Sequence, residues 1–210
     1  MLITLDAAAL GSGLAAPVPA LTLTAGPGVS VVAVETAERP LLVSMLLGGR
    51  LRPDSGRVLV DGAPDGDTLR ARTALVDTPV VAEPTAGITL ATVVAEEFSF
   101  AGVPAPRGAV RAFLEAHELR GYAALPVRAL PPADRVRLFS ELALLRAGVR
   151  GLIVTSPERH GGEPAAWYSA LAAIASRGIT VIVVTDAVTA ATLTSLGATD
   201  AALVSPKEAP

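Results

Sequence analysis

Carboxylates are the first side chains in this sequence that could do chemistry, and Glu96–Glu97 is the most conspicuous pair. These two residues are adjacent within Thr89–Phe98, a segment whose apolar residues recur at helical spacing, so their side chains diverge by about 100°. We therefore predict a solvated helix face there. Asp186 follows the buried strand Ile179–Thr185, and a carboxylate at that end of a strand could bind a cation. Because it stands alone, we predict that it caps the helix that follows it.

Two histidines could act as acids, bases or ligands. His160 lies in a loop where it could contact a phosphate, but we predict a solvated loop residue. His117 ends the predicted helix Arg107–His117, and we place it on the surface. The sequence offers no sharp nucleophile turn from which to build a Ser/His/Asp set. It contains no Cys, which excludes disulfides and thiolate metal sites.

The elements that would position a site begin with Gly28–Gly62. Val29–Val34 is a short β-branched run that predicts a buried strand, and Leu41–Leu47 predicts a helix that ends at a glycine pair. Arg52–Gly56 is typical of a tight turn, and Arg57–Val60 begins another strand. Strand, loop, helix, turn and strand in this order is the layout of a phosphate-loop nucleotide-binding protein.

The segment GGRLRPDSGRVLVDG, Gly48–Gly62, closely resembles the ATP-binding subunits of ABC transporters. In that family a helix, the motif L-x-P-D-S-G and a strand ending in D-G follow the phosphate loop. The later elements keep the family's order, so the resemblance covers nearly the whole chain. It implies an α/β, P-loop NTPase-like fold: a mostly parallel sheet flanked by helices, antiparallel N-terminal strands and a small helical lobe. The unbroken apolar strands Gly151–Thr155 and Ile179–Thr185 independently predict a parallel sheet covered on both faces.

We expect a single domain over residues 1–205, with a core formed by 1–78 and 147–205, a helical lobe at 79–146 and a loose tail at 206–210.

Shorter elements are predicted from local pattern. Leu2–Leu5, Leu21–Leu23 and Ala201–Val204 are expected as strands, Ala63–Asp67 as a turn and Pro17–Pro19 as loop.

The phosphate loop of the resembled family needs glycines, a Lys on the phosphates and a Ser or Thr on Mg²⁺. The corresponding residues are Val34, Glu35, Thr36, Ala37, Glu38, Arg39, Pro40 and Leu41. Pro40 takes the lysine position with neither charge nor N–H, and Leu41 has no oxygen for a metal. Glu35 and Glu38 would repel a polyphosphate. Shifting the register by one residue places Arg39 at the lysine position without restoring the glycines or the hydroxyl. We predict an ordinary strand-to-helix loop.

The remaining family motifs have also lost their polar groups. The signature position reads Leu130, Pro131, Pro132, Ala133 and Asp134, with prolines and a carboxylate in place of Ser, glycines and Gln. The Walker B strand ends in Thr155–Ser156, where the family has Asp–Glu, and we expect Glu158 to point elsewhere. Asp186 takes the place of the switch histidine.

Two further family features lack residues to supply them. The metal-sensing Gln has no counterpart, because the chain contains no Gln and has Asp77 or Thr78 at that place. The aromatic that stacks on adenine is missing, since the first aromatic is Phe98.

Composition narrows the class of protein. The net charge of −3 is spread along the chain without a basic stripe, which argues against nucleic acid as a partner. No apolar run approaches the roughly 18 to 20 residues of a membrane span, and the N-terminus lacks the pattern of a secretory signal. The scarcity of Lys, found only at Lys207, suggests a GC-rich bacterial genome. We expect a cytoplasmic protein, peripheral at the inner face of the cell membrane.

These observations predict a pseudo-ATPase, a non-catalytic scaffold or regulatory subunit without a cofactor or metal. The resemblance implies an integral membrane protein or transporter permease as partner, and an intact ABC ATPase as a second one. Its docking cleft would involve Thr78, Glu97, Phe98 and Phe100, with the two phenylalanines as apolar anchors. One alternative is a divergent ATPase that binds ATP and Mg²⁺ with help from Arg39 and Asp186. Another is a regulator that binds a different small ligand in the vacated cleft.

Overall fold

The computed structural model of the chain describes residues 1–35 and 38–202. The strands in this part of the chain are β1 (Ile3–Leu10), β2 (Val18–Ala25), β3 (Gly28–Ala33), β4 (Ser55–Val60), β5 (Thr73–Val76), β6 (Gly151–Thr155), β7 (Thr180–Thr185) and β8 (Thr199–Ala202). The helices are α1 (Arg39–Leu47), α2 (Gly66–Arg72), α3 (Leu90–Phe100), α4 (Ala109–Ala116), α5 (Pro132–Leu144), α6 (Pro164–Ala175) and α7 (Ala187–Ser195). None of the helices described is long and apolar enough to cross a membrane.

The strands form two sheets. A five-stranded parallel sheet has the order β5-β6-β7-β3-β8, and a three-stranded antiparallel sheet has the order β2-β1-β4. The two strands β6 and β7 are buried along their whole length, which agrees with a parallel sheet covered on both faces. The predicted α/β class, with a mostly parallel sheet and antiparallel N-terminal strands, is confirmed.

Successive residues of β7 enter two different cores because side chains alternate across a strand. Val181 and Val183 belong to a core that includes α5, α6 and the helices of the 79–146 region. Ile182 and Val184 belong to a second core with α1 and the inner face of the antiparallel sheet. The parallel sheet is therefore the middle layer between two hydrophobic cores. The carboxyl ends of its strands form the edge at which the candidate site lies.

The antiparallel sheet contains a bulge where β1 passes β4. The register of β1 shifts between Asp6 and Ala9, and Ala7 has a left-handed backbone with φ of 48°. Gly56 faces this bulge with φ of 73°, and a Cβ on it would lie 2.1 Å from the carbonyl oxygen of Ala7. Only glycine fits there, which gives the glycine of the P-D-S-G turn a structural reason.

The chain between β5 and β6 is mostly helical. It contains α3, α4, two short 3-10 turns and the long helix α5. Phe98 of α3 packs edge-to-face on Phe113 of α4, with ring centroids 5.3 Å apart. Helix α5 then returns to the sheet and packs against β5 and α6. This arrangement connects the end of β5 to the start of α5, where the site residues described below meet.

Three local predictions were wrong. Helix α2 begins at Gly66, within the turn expected over Ala63–Asp67. This helix was not predicted because only one of its seven residues, Leu69, is buried. Its signal was Asp65, whose side chain accepts a hydrogen bond from Thr68 N as an N-cap. Strand β1 extends well beyond Leu5 through its bulge, and β2 already begins at Val18 within the expected loop. The last strand is described over Thr199–Ala202, and residues 203 and 204 of its predicted range and the tail 206–210 lie outside the described residues.

Candidate functional site

The loop at the phosphate-loop position connects β3 to α1. Its first residue, Val34, is buried and donates its N–H to Thr185 O at 2.9 Å, while Glu35 and Glu38 are exposed. Thr36 and Ala37 lie outside the described residues. Helix α1 begins with Arg39–Pro40, and Glu38 at its N-cap makes no side-chain cap bond. Leu41 lies in the first turn of α1 and is half-buried. The Arg39 side chain is engaged elsewhere, since its Nε donates to Pro17 O at 2.9 Å.

A cleft of about 500 Å³ lies beside this loop, at the carboxyl ends of β3, β6 and β7. Its charged lining consists of three carboxylates, Glu35, Glu158 and Asp186, and one guanidinium, Arg159. Arg159 is itself 3.3 Å from the Asp77 carboxylate and 3.4 Å from that of Glu83. A polyphosphate in this cleft would therefore face an excess of negative charge.

Two of these carboxylates already have partners. Asp186 accepts from Val188 N at 2.8 Å and Thr189 N at 2.9 Å, which places it at the N-cap of α7 as the sequence predicts. Burial alone would raise the pKa of Asp186, but these hydrogen bonds outweigh it and lower that pKa. Glu158 accepts from the Thr185 hydroxyl at 2.6 Å and lines the cleft. The expectation that Glu158 points elsewhere was wrong, because a 3-10 turn over Pro157–His160 folds it back toward β7.

A chain of buried hydroxyls occupies the Walker B position. Thr155 Oγ1 donates to Ser44 Oγ of α1 at 2.8 Å and lies 2.8 Å from Thr78 Oγ1. A hydroxyl has one proton, so Thr78 is the donor to Thr155. All three side chains are fully or almost fully buried. Neutral hydroxyls bonded to one another thus surround Thr155, the residue that the sequence analysis predicts at the place of the metal-binding carboxylate. The adjacent Ser156 takes a left-handed backbone with φ of 45° and lines the cleft.

A buried ion cluster surrounds Asp77, next to Thr78. Arg135 of α5 donates from Nε to Oδ2 and from Nη2 to Oδ1, each at 2.7 Å. His160 Nε2 also lies 2.9 Å from Oδ2, although the geometry of this contact does not qualify it as a hydrogen bond. Arg159 also donates to the Asp77 carbonyl. The cluster joins β5, α5 and the turn after β6, three elements that are distant in sequence.

The electrostatics of Asp77 are dominated by these partners. Burial raises its pKa, but contact with His160, the hydrogen bonds from Arg135 and the positive charges of Arg135 and Arg159 bring the net shift downward. Asp77, Glu83 and His160 offer ligand atoms within 4.8 Å of one another, as a cation site would. The two guanidinium groups on the same carboxylates disfavour a cation there, because they would repel it.

The two histidines differ from expectation. The structure brings His160 into the Asp77 cluster with 18% of its side chain exposed, so the prediction of a solvated loop residue was wrong. The left-handed backbone of Ser156, just before the 3-10 turn, directs the turn inward. His117 is half-buried rather than a free surface residue, and its ring lies 4.4 Å from that of Phe113. Burial is the main cause that lowers the pKa of His117.

The signature position forms the start of α5. Leu130 is buried, Pro131 is the N-cap, and Pro132 is the first helical residue. Neither proline has an N–H to offer a phosphate. Ala133 is half-buried, and Asp134 accepts from Arg137 Nη2 at 2.8 Å. This helix terminus therefore presents few donors and one negative charge.

A second cleft, of about 520 Å³, is lined by residues of β5, α3 and α5 and of the loop after β5. Phe100 stands at its rim with 77% of its surface exposed, and Glu97 lines it half-buried. Burial, with the charge of Glu96, raises the pKa of Glu97. Thr78 and Phe98 are both buried in the core, so these two residues of the predicted docking cleft do not reach its surface. Phe98 turns inward because it packs on Phe113.

Arg135, Arg159 and Glu83 are site residues that the sequence analysis missed. Arg135 carried a signal: it lies four residues before Phe139 and seven before Leu142, on the apolar face of α5. A charged residue on a buried helix face needs a buried partner. Arg159 and Glu83 lie in a turn and a loop, where no periodicity distinguishes them.

Comparisons with known proteins give matches at the level of structure. No protein-family model matches the chain, and no curated protein matches its sequence. The structure of CbiO1 from Clostridium perfringens, part of the ABC transporter complex CbiONQ, has a TM-score of 0.61 and 17% identity, covering 88% of this chain and 78% of that one. A putative ABC transporter ATP-binding protein from Pyrococcus furiosus has a TM-score of 0.65 and 13% identity, covering 89% and 92%.

A dimeric bacterial ABC transporter cassette has a TM-score of 0.67 and 16% identity, covering 91% of this chain and 90% of that one. These similarities cover between 88% and 91% of this chain. The structural similarity identifies the fold, whereas the chemistry of the site follows from the residues described above. The chain therefore has the P-loop NTPase fold of the ATP-binding cassettes of ABC transporters.

Proposed function

We propose that this protein is a pseudo-ATPase, an ATP-binding-cassette fold that serves as a non-catalytic scaffold or regulatory subunit of a membrane protein or transporter complex. The observation that carries the proposal is the charge of the cleft beside the loop between β3 and α1, which we call the phosphate cleft. Three carboxylates and an already paired arginine line it. Phosphate sites instead combine converging N–H groups with positive charge.

The metal position supports the same conclusion. Mg²⁺ binding to a nucleotide site relies on carboxylate and hydroxyl oxygens that are free to coordinate it. The hydroxyls of Ser44, Thr155 and Thr78 are instead bonded to one another and buried. Binding a metal there would require breaking this chain without gaining a carboxylate.

The start of α5 extends the argument to a partner subunit. In the resembled family each ATP is held by the phosphate loop of one subunit and the signature of the other. With Pro131, Pro132 and Asp134 at the signature, this chain would contribute to neither half of a composite site. We therefore propose that it lacks ATPase activity even when paired with an intact ABC ATPase.

The scaffold role rests on the cleft beside α3. We propose that residues 1–78 and 147–205 form a core and 79–146 a lobe, with the partner docking between them. Phe100 and Val81, which are 77% and 47% exposed, are apolar groups that line this cleft, and adjoining exposed apolar surface favours an interaction site. A docked membrane protein would hold the chain at the inner face of the cell membrane.

The divergent-ATPase alternative depends on Arg39 and Asp186. Both are committed to other contacts, Arg39 to Pro17 O and Asp186 to the cap of α7, which weighs against a role in holding ATP and Mg²⁺. The alternative of a regulator requires a ligand that is not repelled by the three carboxylates lining the phosphate cleft.

Calorimetric titration of the full chain with Mg·ATP tests the proposal. We expect no binding heat and no thermal stabilisation, whereas a ligand at 100 times its dissociation constant would add about 2.7 kcal/mol. Arg39→Ala is the matched variant. Micromolar binding that this variant abolishes would establish the divergent-ATPase alternative, and steady hydrolysis by the purified chain would end the proposal.

A further inference from the structure

The cleft beside α3 is lined by side chains of both charges. Its positive groups are Arg50, just after α1, and Arg146, just after α5, and both are half-buried. Helix α3 contributes two carboxylates to the same lining, Glu96, which is exposed, and Glu97, which is half-buried. These four charges lie on different elements of one concave surface, where a single small molecule could contact groups of both signs.

The other two carboxylates of this lining already have partners. Asp77 is bound by Arg135 at 2.7 Å, and Glu83 lies 3.4 Å from Arg159. Their charges are thus balanced by guanidinium groups that do not line the cleft. Equal numbers of positive and negative side chains remain, so a ligand without net charge but with one group of each sign matches the cleft best.

Arg50 is held in place with part of its guanidinium free. Nη1 donates to Gly48 O and to Thr73 Oγ1, and Nη2 donates to Thr73 O at 2.9 Å. In the described part of the chain Nε donates to no acceptor, which leaves an N–H available to a ligand oxygen. Burial first, and then the charges of Arg146 and Arg70, lower the pKa of Arg50 to about 10. An anionic group beside Arg50 would oppose these effects.

Arg146 and Glu97 act on each other through space without forming an ion pair. Burial first, and then the charge of Glu96, raise the pKa of Glu97, whereas the charge of Arg146 lowers it. Among the residues described, Arg146 donates to Thr73 O and lies within ion-pair distance of no carboxylate. A gap therefore separates the guanidinium from the carboxylate. A molecule with an anionic group toward Arg146 and a cationic group toward Glu97 would contact both.

We propose that the cleft beside α3 binds a free α-amino acid with an apolar side chain, a zwitterion that carries a carboxylate, an ammonium and an apolar group on one carbon. The carboxylate lies against Arg50 and Arg146, and the ammonium group lies against Glu97. The side chain packs on Phe100 and Val81, which are exposed apolar residues of the lining. The volume of about 520 Å³ falls within the range of about 300 to 1,000 Å³ that is usual for small-molecule sites. This binding site goes beyond the proposed scaffold function and does not depend on it.

Isothermal titration calorimetry of the purified full chain tests the site. The probes are L-leucine, L-valine, L-methionine and L-phenylalanine, titrated one at a time. We expect at least one of them to bind with a dissociation constant below about 1 mM. The N-acetyl and the amide derivatives of that amino acid each lack one of its two charges. Each derivative should bind about tenfold more weakly or worse, because it loses a charge-assisted contact.

Substitutions on both sides of the cleft locate the site. Arg50→Gln and Glu97→Gln should each weaken binding by about tenfold or more. Arg107→Gln and Glu163→Gln are matched controls, exposed and outside the cleft, and should leave the affinity unchanged. The side chain of Glu97 accepts no hydrogen bond from the residues that the structure describes. Glu97→Gln therefore serves if Arg50→Gln, judged by thermal melting, does not fold.

Several results would overturn the inference. They are failure of all four amino acids to bind, equal binding of either derivative, and an unchanged affinity in a folded Gln variant of the cleft. Each of these would leave the scaffold proposal standing, since that proposal is tested by titration with Mg·ATP. Binding of Mg·ATP would instead remove the pseudo-ATPase assignment and leave the amino-acid result valid.

Discussion

Arg135 and Asp77 form a bidentate ion pair, with both N–O distances at 2.7 Å and both side chains at most 5% exposed. The pair connects the first turn of α5 to the end of β5, next to the phosphate cleft. This buried pair favours one fixed arrangement of α5 against the sheet.

Neutralising Asp77 should destabilise the protein strongly. Asp77→Asn removes the bidentate partner of the buried Arg135 and leaves it only the Glu83 carboxylate, 3.7 Å away. Breaking a buried ion pair costs about 3 to 5 kcal/mol in comparable sites. Asparagine tolerates the left-handed backbone of this position, where φ is 51°, so the variant reports on the charge rather than on strain. Urea denaturation monitored through the fluorescence of Trp167 measures the loss.

Two comparisons make this result decisive. Asp67→Asn removes an exposed partner of Arg70 and should change the free energy of unfolding by less than about 0.5 kcal/mol. Adding Arg135→Met to Asp77→Asn should restore part of the loss, because the unpaired charge is then gone. A small effect of Asp77→Asn alone would show that Glu83 compensates Arg135 fully.

The same pair should make stability depend on pH. The pKa of Asp77 in the folded state lies below its ordinary value of 3.8, because the contacts with His160 and Arg135 outweigh the effect of burial. A carboxyl with a depressed folded pKa stabilises the protein above its unfolded pKa and loses that contribution as pH falls through the folded pKa.

Urea titrations at a series of pH values measure this contribution. The difference in unfolding free energy between the unsubstituted protein and Asp77→Asn should be constant from neutral pH to about pH 5 and should shrink below about pH 4. Subtracting the variant removes the parallel contributions of Asp65 and Asp186, whose pKa values are also lowered. A difference that grows on acidification would contradict the assignment.

The buried hydroxyl chain gives a third prediction. Thr155→Val keeps the shape of the side chain but leaves the hydroxyls of Ser44 and Thr78 without their shared partner. We expect a loss of about 1 to 3 kcal/mol, the cost of unpaired buried polar groups. Thr155→Ser should lose less because it retains the hydroxyl. Thr24→Val, at the exposed contact with Thr4, is the matched control and should be nearly neutral in urea denaturation.

The fold could be predicted from the sequence where apolar patterning and glycine punctuation agreed. Gly151–Thr155 matches β6 at both ends, and Pro164 begins α6 as predicted. The antiparallel pairing of the N-terminal strands followed from the resemblance carried by Gly48–Gly62, since strand pairing is non-local and has no periodic signal, and the order of the strands in the sheets was not predicted. Helix α2 was missed because a seven-residue helix with a single buried side chain has no detectable period.

The site was harder to predict because its contacts join residues far apart in sequence. Asp77 and Arg135 are separated by 58 positions. The local sequence around one of them does not indicate the other as its partner. The N-cap role of Asp186 could be predicted because its partners are the next residues of the same helix. The inward position of His160 depends on the left-handed backbone of Ser156, which a non-glycine residue rarely adopts and the sequence does not signal.

The P-D-S-G turn gives a final prediction, on the framework that holds the site. Gly56 and Gly62 both have left-handed backbones, with φ of 73° and 85°. A Cβ at Gly56 would lie 2.1 Å from the Ala7 carbonyl oxygen, whereas one at Gly62 would have nothing within 4 Å. Gly62→Ala should cost about 1 to 2 kcal/mol from its backbone conformation alone. Gly56→Ala adds a collision with backbone and should cost at least about 2 kcal/mol more, as measured by urea denaturation. Equal losses in the two variants would mean that the backbone at Ala7 moves to accommodate the added Cβ. Gly56 would then not determine how β1 pairs with β4.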